Sequence, residues 1–164
     1  MKKALFAGSF DPITCGHLDL INRASALCDT IVVGVVENKS KVPYFTVQER
    51  MDMIREATAH LNNVEVDSFS GLLADYVNSN GIQAVVRGLR ATTDFEYEIQ
   101  MAQMNDRLYD DGIETIFLMT TPEHSFISSS MIKEVFLLGG TVEGLVPDNV
   151  LKYMKEKREG KGGK

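Results

Sequence analysis

Five short apolar runs punctuate the chain: "KALFA" at 3–7, "TIVVGVV" at 30–36, "NVEVD" at 63–67, "QAVVR" at 83–87 and "ETIFLM" at 114–119. Several place apolar or β-branched residues on consecutive positions, the pattern of strands buried on both faces. Between them apolar residues recur at helical spacing. A helix over about 17–28 carries Leu18, Ile21, Ala24 and Leu27, and a second over about 47–60 opens on Thr46 and Glu49 with capping-box spacing. A third over about 71–79 carries Leu72, Leu73, Tyr76 and Val77 and is closed by Gly81. A fourth, 94–108, opens at Asp94; a fifth, 129–138, ends at Gly139-Gly140; a last, 148–158, follows Pro147 and Asp148. Strands alternating with helices predict an α/β fold: a Rossmann-like, doubly wound, parallel five-stranded sheet with helices on both faces. Ligands of such sheets bind beyond the carboxyl ends of the strands. That directs attention to the loops 8–16, 37–45, 87–93 and 120–128.

The length of 164 residues fits one domain, expected over 1–158, with 159–164 as a flexible basic tail. No run approaches the roughly 18 apolar residues of a membrane span, and "MKKALFAGSFDP" reads as a first strand rather than a signal peptide. The expected location is the cytoplasm. Cys15 and Cys28 would lie at opposite ends of the first helix, roughly 20 Å apart at 1.5 Å per residue, beyond disulfide reach. Nor do they form a zinc site, lacking clustered partners. The net charge is −6, but residues 152–164 hold six Lys/Arg against two Glu, which leaves the body at −10. A body so acidic argues against general nucleic-acid binding.

The strand-end loops hold chemistry suited to anions. "GSFDPITCGH" at 8–17 joins a strand to a helix: Gly8 permits close backbone approach, Ser9 offers a hydroxyl, and Gly16 relieves crowding where the helix begins. Free N–H groups and the dipole make a helix start an anion site. His17 is then either a phosphate donor or a solvated group in a first helical turn, outside the core. In "ENKSKVPYF", Lys39 and Lys41 follow the second strand. Arg87 and Arg90 flank Gly88 after the fourth strand, and arginine suits bidentate phosphate contacts. Glu98 is open to a sugar, a base or one of these arginines. In "HSFISSSMIKEV", Ser128, Ser129 and Ser130 open a helix as a cluster of donors, with Lys133 one turn in, either reaching the same place or snorkelling at the surface.

"GSFDPITCGH", with its Thr14-Cys15-Gly16-His17 element, resembles the first signature of the nucleotidylyltransferase superfamily, and "ISSSMIK" resembles its second. "VRGLRATTDFEYE" and "PYFTVQER" are similar to the bacterial phosphopantetheine adenylyltransferases, and the resemblance spans about residues 3–155. It implies adenylyl transfer from ATP, with Mg²⁺, to 4′-phosphopantetheine, giving dephospho-coenzyme A and pyrophosphate. On that resemblance His17, Lys41 and Arg90 are the catalytic residues. Ser9, Phe10, His17, Gly88, Leu89, Arg90, Glu98 and the segment His124, Ser125, Phe126, Ile127, Ser128, Ser129 and Ser130 hold the nucleotide. Ser9, Lys41, Leu73 and Arg87 hold the acceptor. It further implies a homohexamer, and coenzyme A as a ligand sharing the product's pantetheine end. His124 departs from the aromatic residue that relatives often carry. A related transferase with another phosphorylated acceptor, such as nicotinamide mononucleotide, and a non-catalytic nucleotide sensor remain the alternatives.

Overall fold

The computed structural model describes residues 2–90 and 92–162. Its elements run β1 (Lys3–Gly8), α1 (Cys15–Ser25), β2 (Thr30–Val36), α2 (Val47–Ala57), β3 (Val64–Phe69), α3 (Leu73–Ser79), β4 (Ala84–Leu89), α4 (Thr92–Asp106), β5 (Glu114–Met119), α5 (Ser129–Leu137) and α6 (Asp148–Gly162), with a 3-10 turn at Pro122–His124. The five strands form one parallel sheet in the order β3-β2-β1-β4-β5. Each expected strand and helix is present.

Side chains alternate across the sheet and divide the core in two. Ala4 and Phe6 of β1 join Ile31, Val33, Ala84 and Val86 on one face, beneath Leu20, Ile21, Met53, Ile54, Phe136 and Met154 of α1, α2, α5 and α6. Leu5 and Ala7 face the other way with Val32, Val85 and Val77. Only β1, β2 and β4 are covered on both sides; the edge strands β3 and β5 are half-exposed.

The helix boundaries depart from the expected ones for local reasons. Thr14 caps α1, which therefore starts at Cys15, and α1 stops at Ser25, where the Asn63 side chain donates to the Ser25 and Cys28 carbonyls. Its buried stripe is Gly16, Leu20, Ile21 and Ala24; Leu27 lies past the helix and is exposed. Leu72 is likewise exposed at the N-cap of α3, and Gly81 takes a left-handed φ of +67° just beyond that helix. The Thr46/Glu49 capping box at α2 forms as its spacing predicts. Asp94 lies inside α4 rather than at its start, and its side chain is outside the described residues. At the other end, α6 continues to Gly162, through residues expected as tail. Just before it, Lys157 pairs with Glu49 and Arg158 donates to the Phe136 carbonyl, which ties α6 down at 157–158.

Candidate active site

The strand order reverses between β1 and β4, and a cavity of about 470 Å³ opens beyond their carboxyl ends. Its wall comes from the ends of β1 and β4, from Thr120 just past β5, and from the starts of α1 and α5. Three of the four loops singled out in the sequence meet there: 8–16, 87–93 and 120–128.

At its base sits His17. The Thr14 hydroxyl accepts from the His17 amide at 3.2 Å, and the Thr14 amide donates to His17 Nδ1 at 3.0 Å, closing a capping box with histidine in the place usually held by Glu or Gln. Burial, with the charges of Arg90 and Arg87 nearby, holds the imidazole down at about 4. The ring is therefore neutral at pH 7. Its Nδ1 is an acceptor, so its proton is on Nε2, as a donor to whatever occupies the cavity. The ring stands edge-on to Phe10 at 4.9 Å and to Phe6 at 6.3 Å between centroids. His17 is thus part of the packing as well as the cavity wall, not a solvated surface group.

The loop before α1 is tightly specified. Phe10 is buried at a left-handed φ of +47°, a conformation that costs a residue with a side chain of order 1 kcal/mol or more. Among the described residues its amide and the Ser9 hydroxyl have no hydrogen-bond partner, and both residues line the cavity. Asp11 is buried and accepts from the Tyr44 and Phe45 amides and from Lys133 Nζ at 3.0 Å. Lys133 is spent on that ion pair, beneath the loop, and not on the cavity. Gly16 does not relieve crowding, because a Cβ there would meet its neighbours at ordinary contact distances of 3.5–3.7 Å. Gly88 is packed more closely than Gly16: a Cβ there would lie 2.4 Å from Leu20 Cδ1, so that buried side chain would have to shift.

Within β4, which runs on through Leu89 rather than ending at residue 87, Arg87 grips Glu98 through two bonds, Nε to Oε1 at 2.6 Å and Nη2 to Oε2 at 3.1 Å, while Nη1 reaches the Ala7 carbonyl. Of the partners open to Glu98, an arginine is the one it meets. Arg90 Nη1 donates to the Ile127 carbonyl at 3.0 Å and ties the β4 loop to the segment before α5. Gly88 and both arginines line the cavity; Leu89 does not, although its carbonyl accepts from the Thr120 amide.

The serine cluster divides. Ser128 caps α5 by accepting from the Met131 amide, Ser129 donates to the Pro12 carbonyl at 2.7 Å, and Ser130 is exposed. Ser128, Ser129, Ile127 and His124 line the cavity, whereas Ser125, Phe126 and Ser130 do not. His124 Nδ1 shares a hydrogen with the Thr121 hydroxyl at 2.9 Å, leaving Nε2 as its other polar edge. Lys41 is exposed in the 37–43 loop and is not brought to the cavity. Leu73 lines a smaller pocket of about 100 Å³, whose wall shares Arg87, Tyr97 and Glu98 with the main cavity. The wall also holds residues that the sequence did not single out, Thr120 and Tyr97 among them. Among the described residues the buried Thr120 hydroxyl has no partner, yet a threonine just past β5 carries no sequence signal.

The cytidylyltransferase-like family model matches residues 5–135, which contains every residue so far placed in the cavity wall. This chain belongs to that family. Among its curated relatives, the phosphopantetheine adenylyltransferase of Frankia casuarinae is 55% identical over 161 residues, 96% of this chain and 98% of the relative. That of Alkaliphilus oremlandii is 54% identical over 152 residues, covering 93% and 96%. A third, from Frankia alni, is 52% identical over 161 residues, covering 96% and 98%.

Proposed function

We propose that this chain transfers the adenylyl group of ATP to 4′-phosphopantetheine, the penultimate step of coenzyme A synthesis. An oxygen of the acceptor's phosphate attacks the α-phosphorus in line. A new P–O–P bond forms as the bond to the β,γ-phosphates breaks, so dephospho-coenzyme A and pyrophosphate leave. The acceptor needs no deprotonation by the protein, because its phosphate is already an anion at neutral pH. What the chain must supply is alignment and charge stabilisation. The observation that carries the reading is His17: a neutral imidazole fixed by the Thr14 amide with its Nε2–H left for the cavity, beside two arginines. Such a donor strengthens as charge builds on the α-phosphate oxygens.

The nucleotide's phosphates fit the Ser9–Phe10 side, where an amide and a hydroxyl have no protein partner. The pantetheine arm fits the adjoining pocket at Leu73, with its phosphate at Arg87, the residue common to both spaces. Arg87 keeps donor capacity after its bonds to Glu98 and Ala7, since five N–H groups serve three contacts. The residues present offer no resident metal cage: among the described residues no three His, Cys, Asp or Glu cluster, and the cavity's carboxylate, Glu98, is bound to Arg87. Mg²⁺ therefore enters as part of the substrate, on the ATP phosphates, as Mg²⁺ commonly does.

Assembly into a hexamer is supported by an apolar surface that the sequence pattern did not disclose. Phe95, Tyr97, Met101, Met104 and Leu108 are exposed along and just past α4, next to the edge strand β5. A cytoplasmic location fits two free thiols and the absence, among the described residues, of any helix long and apolar enough to cross a membrane. Pyrophosphate release with ATP and a panel of phosphorylated acceptors tests the proposal. Turnover with 4′-phosphopantetheine is expected. Turnover only with nicotinamide mononucleotide points to a related transferase, and binding without turnover to a sensor.

A further inference from the structure

Arg50 is 3% exposed, yet among the described residues no carboxylate lies within salt-bridge distance of it. Burying an arginine without an anionic partner is expensive unless carbonyl oxygens take up its N–H groups. Its Nε donates to the Thr46 carbonyl at 3.4 Å, and its Nη1 reaches out of α2 to the Ser9 carbonyl at 2.9 Å. That carbonyl belongs to the same planar peptide as the Phe10 amide, and in a trans peptide the two groups point in opposite directions. Fixing the carbonyl toward α2 therefore fixes the amide away from it. Arg50 does not line the cavity, whereas Ser9 and Phe10 do. The same bond braces Phe10 in its left-handed conformation, which a free loop would relax.

We propose that Arg50 is a positioning residue for adenylyl transfer: it sets the Ser9–Phe10 peptide so that the Phe10 N–H is presented to a phosphate in the cavity. This rests on the reading of the cavity as a nucleotide phosphate site. Loss of the brace leaves the cavity's charges in place and displaces one donor, so it should lower kcat more than it raises KM.

The test compares full-length wild type with Arg50→Met and Arg50→Lys. Each is followed by steady-state kinetics, a thermal melt and ¹H–¹⁵N TROSY spectra with and without Mg²⁺–ATP. Arg50→Met is expected to lose about 30-fold in kcat, within the range that small misplacement of reacting groups produces, with KM for ATP changed less than about threefold. Its Phe10 amide should no longer shift on adding Mg²⁺–ATP. Lysine keeps one donor toward Ser9 and should recover most of the loss. An Arg50→Met enzyme with near-normal kcat, or with a Phe10 amide that responds as in wild type, overturns the proposal. If Arg50→Met does not fold, Arg50→Gln, too short to reach the Ser9 carbonyl, takes its place: near-normal kcat with a Phe10 amide that responds as in wild type overturns the proposal, and reduced kcat with an unresponsive amide at unchanged melting temperature supports it. A wild type without adenylyl transfer would sink the functional reading alone. The spectra would then still judge this one, which survives only if the wild-type Phe10 amide responds to Mg²⁺–ATP and that of Arg50→Met does not.

Discussion

Replacing His17 separates the two jobs that the structure gives this residue. In His17→Ala the capping box is lost together with the edge-on contacts to Phe10 and Phe6. The Thr14 hydroxyl still accepts from the residue-17 amide, so what goes is the acceptor of the Thr14 amide, a hydrogen bond of about 1 kcal/mol, and a well-placed aromatic contact of about another 1 kcal/mol. The fold should therefore weaken by about 2 kcal/mol, or about 4–8 °C in Tm for a chain of this size. The same change removes the Nε2–H donor, and loss of a comparable oxyanion donor lowers kcat by about 10²–10³. His17→Gln divides these effects. Glutamine is a natural partner in a capping box, so its side-chain oxygen can accept from the Thr14 amide and restore about half the stability. Held in that bond, its amide is no substitute for an imidazole N–H reaching the cavity, and kcat should stay low. Thermal melts and single-turnover kinetics on both variants, with ATP affinity from calorimetry, make the comparison. A His17→Gln enzyme within a few-fold of wild-type kcat would refute the donor role. An Ala variant as stable as wild type would refute the capping role.

Further outcomes follow from the same contacts. The His17 ring is held at about 4 against 6.5 when unfolded, so between those values the unfolded chain binds the extra proton and stability falls as pH falls. Urea melts should lose about 3 kcal/mol from this group between pH 7 and pH 4, and His17→Gln, which lacks it, should show correspondingly less. Gly88→Ala should cost about 1–3 kcal/mol, because its Cβ meets Leu20 at 2.4 Å; an unchanged denaturation midpoint would show that α1 can shift. Arg87→Ala strands the Glu98 carboxylate at the cavity wall, where solvent reaches it, and should cost about 1–3 kcal/mol. Adding Glu98→Gln should recover much of that stability without restoring acceptor binding. In calorimetry Arg87→Ala should weaken 4′-phosphopantetheine more than ATP, and equal losses would remove Arg87 from the acceptor side.

What the sequence made legible was whatever depends on neighbours along the chain. Consecutive apolar residues in "TIVVGVV" marked a doubly covered strand, Thr46 and Glu49 marked a helix start, and Gly81 marked a helix end. Three of the four loops expected to hold ligand meet at one cavity, because strand order in a parallel sheet gathers them whatever the details. Helix faces were less secure. Leu18 and Leu27 have the same spacing to Ile21 and Ala24 as a core stripe, and only the turn of α1 against β4 selects Leu20 instead. The hidden part of the site is the part made across the sheet. Nothing local to Lys133 indicates that Asp11, more than a hundred residues earlier, takes its charge, or that Glu98 answers Arg87. The left-handed Phe10 and the orphan Thr120 hydroxyl likewise have no counterpart in a pattern of apolar and polar letters. Lys41 differs, since the signal was present and the loop that carries it stands away from the cavity.

Adenylyl transfer is tested most directly by following the α-phosphorus. ATP labelled at that position is incubated with Mg²⁺, 4′-phosphopantetheine and the full-length protein, and the products are separated. The label should appear in dephospho-coenzyme A, one equivalent for each pyrophosphate released, and His17→Ala should slow both together. Label that stays in ATP, or that leaves as AMP or ADP while the acceptor is unchanged, would contradict the account.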